Sequence, residues 1–261
     1  MDSISAIIIT KNEELNIGRC LDSVQWVDEI IVVDSASVDD TREIAWEKGA
    51  TVHETEWRGY GPTKAFGVDQ STSKWILSVD ADEEVTANLA REIKEILRNG
   101  TRYHGFDMPR KTNFLGRWIK HCGWYPDRVL RLFRKSNGGF DESLVHERVV
   151  LDGPMGHLKG EFLHYSYPSL EHYLKKSNDY TTLGAQSAFQ RGRRAGWFDI
   201  VIRPPVSFIT HYIIRQGFRD GFEGLLVSAL SSVAVLVKYA KLRDMQKKQY
   251  NMEVTEIDKA S

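Results

Sequence analysis

The sequence contains few cysteines and no excess of either charge, and each absence argues against a class of protein. Its 261 residues include two cysteines, Cys20 and Cys122, which lie far apart and outside any CxxC or Cys/His ligand spacing. This pattern argues against a disulfide framework and a structural zinc site, and it favours a reducing compartment. The 35 basic residues nearly balance the 36 acidic ones. Because no global basic field exists, we expect no nucleic-acid partner.

The sequence also lacks a basic leader and a long apolar run. We interpret the N-terminal sequence MDSISAIIITKNEE as a buried strand and not as a signal peptide, so we expect a cytoplasmic protein. The longest apolar stretch, residues 224–237, is interrupted by serines and is shorter than the roughly 20 residues that cross a bilayer. We therefore expect no true span. Residues 203–243 mix apolar runs with cations, which is typical of a segment peripheral to a membrane surface, here the inner face of the cytoplasmic membrane.

Short β-branched runs alternate with amphipathic stretches over the first hundred residues. The runs are residues 4–10, 29–34, 50–53 and 75–80. Their alternation predicts an α/β fold with a mainly parallel sheet flanked by helices. From Pro168 the pattern becomes helical, which predicts a C-terminal helical appendage. We expect three regions: an α/β domain over residues 1–167, a membrane-associating helical region over 168–243, and a polar tail over 244–261.

Acidic and amide residues follow three of the predicted strands. The segments are TKNEE at 10–14, DSAS at 34–37 and DADEE at 80–84. In an open parallel sheet the ligand lies beyond the carboxyl ends of the strands, so these segments predict one binding crevice. Asp80 and Asp82 form a DxD that can hold Mg²⁺ or Mn²⁺, although a DxD alone also describes a helix-capping acid followed by a solvated turn. The position directly after WILSV favours the metal site.

Several other side chains of this crevice have an ordinary alternative role. Asp34 follows IIVV and could only cap a turn, and Asn12 with Glu13 could only begin a helix. Lys64 is the nearest candidate cation for a diphosphate, although a single loop lysine is more often solvated. A role in binding is favoured by these residues as a group, because three strand ends that carry acids or amides are expected to converge.

The order of the motifs resembles a known enzyme family. TKNEE, VVDSASVDDT, SVDADEE and NGGFDESLVHE occur in the order found in the inverting glycosyltransferases of family 2, which have a GT-A fold. Within that family the chain, including WYPDRVLRLFRK, LHYSY and KYAKL, resembles the lipopolysaccharide core enzymes that add glucose to inner-core heptose. The resemblance covers about residues 3–243.

The resemblance implies roles for individual residues. It implies a nucleotide pocket formed by Thr10, Asn12, Glu13, Asp34, Lys64 and Asp80, with Asp34 accepting from the base and Lys64 on the diphosphate side. It implies a metal site formed by Asp82, Asp80 and His164. A hydrogen-bonded histidine at a strand edge is the alternative for His164. Further contacts to acceptor or phosphate are expected from Arg128, Arg131 and Trp124, whose alternatives are a solvated strand face and a core aromatic.

The catalytic base is expected in the segment LVHE. Glu147 is nearest to the acidic pair of the family, and the adjacent His146 is the alternative. Inverting transfer is a direct displacement, so it needs a base, a metal on the leaving diphosphate and a pocket that aligns both.

Taken together, the motifs and the family resemblance imply a metal-dependent hexosyltransferase. Its expected donor is a nucleotide-diphosphate sugar such as UDP-glucose, and its expected acceptor is a lipopolysaccharide inner core, a core oligosaccharide or a related glycolipid. A non-catalytic scaffold of the same fold is one alternative. A nicotinamide oxidoreductase is another, but TKNEE stands where a GxGxxG would follow the first strand. The sequence leaves open whether a homo-oligomer forms.

Overall fold

The computed structural model describes residues 2–141 and 148–260, with side chains described up to residue 249. The chain forms two compact units. The first unit contains Met1–Thr112 and Pro126–Ser166, and the second contains Asn113–Tyr125 and Tyr167–Ser261. The second unit therefore combines the helical C-terminal region with residues 113–125, thirteen residues that lie far from it in the sequence.

A mixed sheet is the main element of the structure. Its strands follow the order β3-β2-β1-β4-β8-β6-β12-β5, and β7 and β11 also pair with β6. Their bounds are β1 Ile4–Thr10, β2 Glu29–Asp34, β3 Thr51–Glu54, β4 Trp75–Asp80, β5 Glu83–Val85, β6 Gly105–Phe114, β7 Arg117–Trp118, β8 Asp127–Arg134, β11 Met155–His157 and β12 Phe162–Tyr167. A separate hairpin consists of β9 Gly138–Phe140 and β10 Val149–Leu151.

The first four strands are parallel and carry the core. All seven residues of β1 are buried, as expected for a central strand covered on both faces. β1 pairs with β2 on one side and with β4 on the other, so Thr10 lies beside Asp34 and Ile9 beside Asp80. The carboxyl ends of three strands therefore meet at one edge, as the sequence predicts.

Four helices flank the sheet in the first unit. They are α1 Ile17–Val24, α2 Thr41–Glu47, α3 Tyr60–Gln70 and α4 Ala87–Asn99. The side chain of Thr86 accepts a hydrogen bond from Leu89 N at 3.3 Å and so begins α4. Gly67 lets α3 approach β1, because a Cβ at this position would lie 2.5 Å from the side chain of Ile7. This close packing fixes the position of the helix that carries Lys64.

Helices dominate the second unit. They are α5 Leu170–Gln190, α6 Trp197–Val201, α7 Arg203–Ile209 and α8 Gly221–Ala260, with a π-helical turn at Thr210–Ile214 and a 3₁₀ turn at Gly217–Asp220. α5 and α8 pack through Ala185, Ala188, Tyr239 and Leu242. The predicted fold class, a mainly parallel sheet flanked by helices with a C-terminal helical appendage, is confirmed.

The long helix changes one expectation about the C-terminal segment. Residues Gly217–Gln249 are long and apolar enough to cross a membrane, with a mean hydropathy of 1.6 in the most apolar window, of which 22% is buried. The apolar run at 224–237 is too short to cross a bilayer, but the helix that contains it is more than twice as long. Length and composition therefore do not exclude a span.

Candidate active site

Two loops at the carboxyl ends of β1 and β2 form one wall of the crevice. Asp34 is fully buried, and its carboxylate accepts hydrogen bonds from the backbone N of Ser37, at 2.9 Å, and from the Ser37 hydroxyl. Asn12 N donates to Ser37 Oγ at 2.8 Å, and Glu13 N donates to Thr41 Oγ1 at 2.7 Å. Asn12 has a positive φ of 56°. The loops that carry the predicted nucleotide-binding residues are thus held together by hydrogen bonds.

Three buried hydroxyls near these strand ends have no hydrogen-bond partner in the described part of the chain. They belong to Thr10, Ser35 and Thr63. Thr10 ends β1, Ser35 follows β2 and donates its backbone N to Thr10 O at 2.9 Å, and Thr63 precedes Lys64 in α3. A buried polar group without a partner costs about 1–3 kcal/mol. Hydroxyls in this state are suited to a polar ligand that supplies the missing hydrogen bonds.

A buried cluster of cations surrounds Asp80 at the end of β4. Lys64 is 1% exposed, and its Nζ lies 2.8 Å from Asp80 Oδ1. Arg131, on β8, forms an ion pair with the other oxygen of Asp80 and donates to Ser78 Oγ at 3.5 Å. Burial acts to raise the pKa of Asp80, but Arg131 and Lys64 outweigh it and hold the pKa well below its usual range. Asp80 is therefore an anion that holds two cations at the crevice.

Glu83 and Arg110 belong to the same cluster, and the sequence analysis did not assign them a role. Glu83 is fully buried and accepts from Asp80 N at 3.0 Å, from Arg110 Nη1 at 3.2 Å and from Arg131 Nη2 at 3.3 Å. Arg110 also donates to Asp127 Oδ2. Burial acts to lower the pKa of Arg110, but Glu83 and Asp127 raise it above its usual value. In the sequence, the position of Glu83 within DADEE is the one sign of a role for it. No motif shows which of these acids is buried.

Asp82 lies beside His164. The Nε2 atom of His164 is 3.1 Å from Asp82 Oδ2, and the two side chains are 12% and 21% exposed. The antiparallel pairing of β5 with β12 produces this contact by placing His164 beside Glu83. Tyr165 N also donates to Asp82 O at 2.9 Å. His164 Nδ1 is buried and has no hydrogen-bond partner among the described residues.

The Asp82–His164 pair fits a divalent cation, whereas Asp80 is already paired with cations. Two ligand atoms in octahedral coordination at 2.0–2.1 Å lie about 3 Å apart, which matches the spacing of these two atoms. Within the described ranges, no group of three or more His, Cys, Asp or Glu side chains is placed to hold a metal. Mg²⁺ keeps several waters or substrate oxygens, so two protein ligands are compatible with such a site.

The remaining predicted residues contact other partners or fall outside the residues that the structure describes. The guanidinium of Arg128 donates to Asp107 Oδ1 at 2.6 Å and to Leu158 O at 3.0 Å. Trp124 packs in the aromatic cluster of the second unit, with its ring 5.6 Å from that of Tyr167. The roles predicted for these residues stay predictions. His146 and Glu147, the candidate bases, lie outside the described residues.

Comparisons with known proteins give a consistent result. Residues 5–145 match the family described as Glycosyl transferase family 2. A glycosyltransferase of Rickettsia typhi is 32% identical over 97% of this chain and 90% of its own length. The lipopolysaccharide core biosynthesis glycosyltransferase LpsC of Rhizobium meliloti is 30% identical over 92% of this chain and 91% of its own length.

Two solved structures are also similar. Glucosyl-3-phosphoglycerate synthase from Mycobacterium tuberculosis, in complex with Mn²⁺, UDP and glucosyl-3-phosphoglycerate, aligns over 74% of this chain and 81% of its own, with 16% identity and a TM-score of 0.48. S. aureus TarS 1-349 in complex with UDP-GlcNAc aligns over 95% of this chain and 92% of its own, with 14% identity and a TM-score of 0.48.

Proposed function

The chain belongs to glycosyl transferase family 2 and has the GT-A fold, and from this premise we propose that it transfers glucose from UDP-glucose, with inversion, to a lipopolysaccharide inner-core or related glycolipid acceptor. One observation carries the donor side of this proposal. Lys64 and Arg131 are buried cations that pair with Asp80 at the carboxyl end of β4. The buried hydroxyls of Thr10, Ser35 and Thr63 have no hydrogen-bond partner among the described residues. This combination suits a nucleotide diphosphate, which brings both negative charge and hydrogen-bonding groups.

Different residues of the crevice contact different parts of the donor. Asp34 is buried and accepts from Ser37 N, while Ser37 Oγ accepts from Asn12 N, and we assign the carboxylate of Asp34 to the uracil base. Asp80 keeps Lys64 and Arg131 in place, and these cations attract the diphosphate. Glu83 fixes both Arg131 and the backbone N of Asp80. A rigid set of charges that needs no rearrangement is what stabilises developing negative charge during reaction.

Transfer then requires a leaving diphosphate and an activated acceptor hydroxyl. Asp82 and His164 would hold Mg²⁺ or Mn²⁺, and the cation would neutralise negative charge on the leaving diphosphate. On the acceptor side, Glu147, or alternatively His146, removes the proton of the attacking hydroxyl. Because the displacement is direct, no covalent intermediate with the protein is needed.

The acceptor is proposed from the relative and from the composition of the second unit. LpsC is named for lipopolysaccharide core biosynthesis. Glycolipid acceptors are held in a membrane, and several apolar side chains of the second unit are exposed, among them Ile214 at 70% and Phe222 at 66%. We therefore place the enzyme at the inner face of the cytoplasmic membrane, in contact with the lipid through this unit.

A donor screen tests the proposal. The full chain is incubated with UDP-glucose, UDP-galactose, UDP-GlcNAc and GDP-mannose, with and without Mn²⁺, and release of the nucleotide diphosphate is measured. Metal-dependent hydrolysis of UDP-glucose above the other donors is the expected result, followed by transfer to core oligosaccharide fragments. A chain that hydrolyses no donor in any metal would instead be a non-catalytic scaffold, the alternative that shares this fold.

A further inference from the structure

A basic cleft lies in the second unit, and none of the described residues that line it is assigned to donor binding. It occupies about 730 Å³ between the end of α5, the loop 191–196 and α8. The residues that line it include Arg193, Arg194, Trp197, Arg243, Gln246 and Lys247. Four of the lining residues are arginine or lysine, and none of the described residues in the lining is acidic. The cleft therefore has a positive potential of its own.

Three of these four cations have no acidic partner among the side chains that the structure describes. Arg194, Arg243 and Lys247 form no ion pair and no side-chain hydrogen bond within the part of the chain that the structure describes. Arg193 is the exception, with its Nη2 3.4 Å from Asp199 Oδ1. Like charges that share one cleft repel each other, so an anion that enters gains from all of them at once.

The loop that presents the cations is fixed in place. Gln246, on α8, donates from Nε2 to Arg193 O at 2.8 Å and accepts from Ala195 N at 3.2 Å. The guanidinium of Arg193 lies 5.2 Å from the ring centroid of Tyr239. Because one glutamine bonds the loop on both sides of Arg194, the cleft is preorganised, which lowers the entropy lost when a ligand binds.

The side chains beside the cleft indicate the source of the anion. Trp197 lines the cleft and is 67% exposed, and Phe198 and Val201, in the same short helix, are 53% and 55% exposed. Exposed aromatic and apolar side chains next to arginine and lysine are typical of a membrane interface. A soluble phosphate compound would need the cations but not this apolar rim.

We infer that this cleft binds the phosphate groups of anionic phospholipids at the membrane surface. Arg194, Arg243 and Lys247 contact the headgroups, while Trp197 and Phe198 enter the boundary with the acyl chains. This inference deepens the proposed membrane location and rests on it, but it does not depend on the donor, the acceptor or the transfer chemistry.

Vesicle binding of the full chain tests the inference. Wild type and R194A/R243A/K247A are compared on phosphatidylcholine vesicles with and without about 30 mol% phosphatidylglycerol. The expected result is that the triple variant loses about a hundredfold in partitioning to the anionic vesicles, since each surface cation contributes several-fold. R91A/R98A/K175A is the matched control, because it removes three exposed cations from other places and leaves the cleft intact. It is expected to bind like wild type, and both variants are expected to melt near wild type.

Two results would overturn the inference. One is equal loss of binding in both triple variants, which would mean that only net charge matters. The other is unchanged partitioning of R194A/R243A/K247A to the anionic vesicles. If that variant nevertheless loses binding of inorganic phosphate in vesicle-free buffer, the cleft belongs to a soluble phosphate compound. Hydrolysis of UDP-glucose in vesicle-free buffer separates this test from the proposed function, because the triple variant is expected to keep it. If the wild-type protein does not hydrolyse UDP-glucose, the proposed function is contradicted, but the inference about the cleft is not.

Discussion

The ammonium group of Lys64 lies 2.8 Å from Asp80 Oδ1 in a position where the lysine is 1% exposed. Taking an ammonium group out of water costs solvation free energy, and the carboxylate of Asp80 offsets part of that cost. Asp80 is the first aspartate of the DxD, and its second oxygen is occupied by Arg131. The two aspartates of the motif therefore have different partners: Asp80 holds cations, and Asp82 lies beside His164.

The first prediction concerns this buried pair. Lys64→Met is expected to lower the free energy of unfolding by less than about 3–5 kcal/mol, the cost of breaking a fully buried ion pair, because the Asp80 side chain is 26% exposed and Arg131 still compensates it. UDP-glucose binding is expected to weaken by at least about tenfold, since one diphosphate cation is lost. Urea denaturation and calorimetric titration with UDP measure the two effects.

The double variant Lys64→Met/Asp80→Asn is the control for the first prediction. It removes both charges of the pair, so stability is expected to recover in part while UDP affinity does not. Equal UDP affinity of wild type and Lys64→Met would show that the lysine is purely structural.

The second prediction separates the metal site from the core. Asp82→Ala is expected to abolish donor hydrolysis and to weaken Mn²⁺ binding, while the melting temperature stays near that of wild type, because Asp82 is partly exposed and pairs with a histidine. Calorimetry with Mn²⁺ in the presence of UDP gives a readout besides activity. The matched variant is Asp22→Ala, a surface acid paired with Lys48 in the first unit. Substantial turnover by Asp82→Ala with Mn²⁺ or Mg²⁺ would rule out the proposed site.

The sequence predicts the features of this site that depend on local sequence, and it does not predict those that depend on the pairing of distant strands. Strand ends are visible in sequence, because β-branched runs stop at polar residues, and the parallel sheet brings those ends together. Glu83 was missed because burial of one acid in DADEE is decided by β5 pairing with a strand some eighty residues away. Arg128 and Arg131 looked equivalent in DRVLRLFR, but side chains three positions apart on a strand point to opposite faces. One arginine therefore meets Asp80 and the other meets Asp107.

The third prediction is a pH dependence of stability. The pKa of Asp80 is depressed well below 3.8 in the folded protein, with Arg131 and Lys64 outweighing burial. A depressed pKa means that the carboxylate contributes stability above its unfolded value of 3.8, and that this contribution is lost as the pH falls through the folded value. Wild type is therefore expected to lose more stability below pH 3.8 than Asp80→Asn does. Urea melts at a series of acidic pH values measure the slopes, and parallel slopes would contradict the assignment.

The fourth prediction concerns the turn before α8. Phe218 and Phe222 are 51% and 66% exposed, and Ile214 is 70% exposed. If this turn enters the lipid, Phe218→Ser/Phe222→Ser lowers partitioning to neutral phosphatidylcholine vesicles by at least about tenfold, since each aromatic ring removed from water contributes apolar burial. Trp46→Ser, which removes a 74% exposed tryptophan from α2, is the matched control and is expected to bind like wild type. Unchanged partitioning of the phenylalanine variant would place the membrane contact elsewhere.

The last prediction concerns the catalytic base. Removing the proton from a sugar hydroxyl during displacement needs a carboxylate or an imidazole within hydrogen-bond reach, and such a base supplies about a hundred to ten thousandfold. His146 and Glu147 are neighbours in the sequence. Adjacent side chains point in opposite directions wherever a segment is extended, so we expect a single base and not a pair. We expect Glu147, and Glu147→Gln is therefore expected to keep UDP and Mn²⁺ affinity in calorimetry while transfer falls by at least about a hundredfold. His146→Ala is the comparison, because it removes the other candidate from the same segment. Near-normal transfer by Glu147→Gln together with an inactive His146→Ala would assign the base to the histidine, and Glu147 would then orient the imidazole instead of taking the proton.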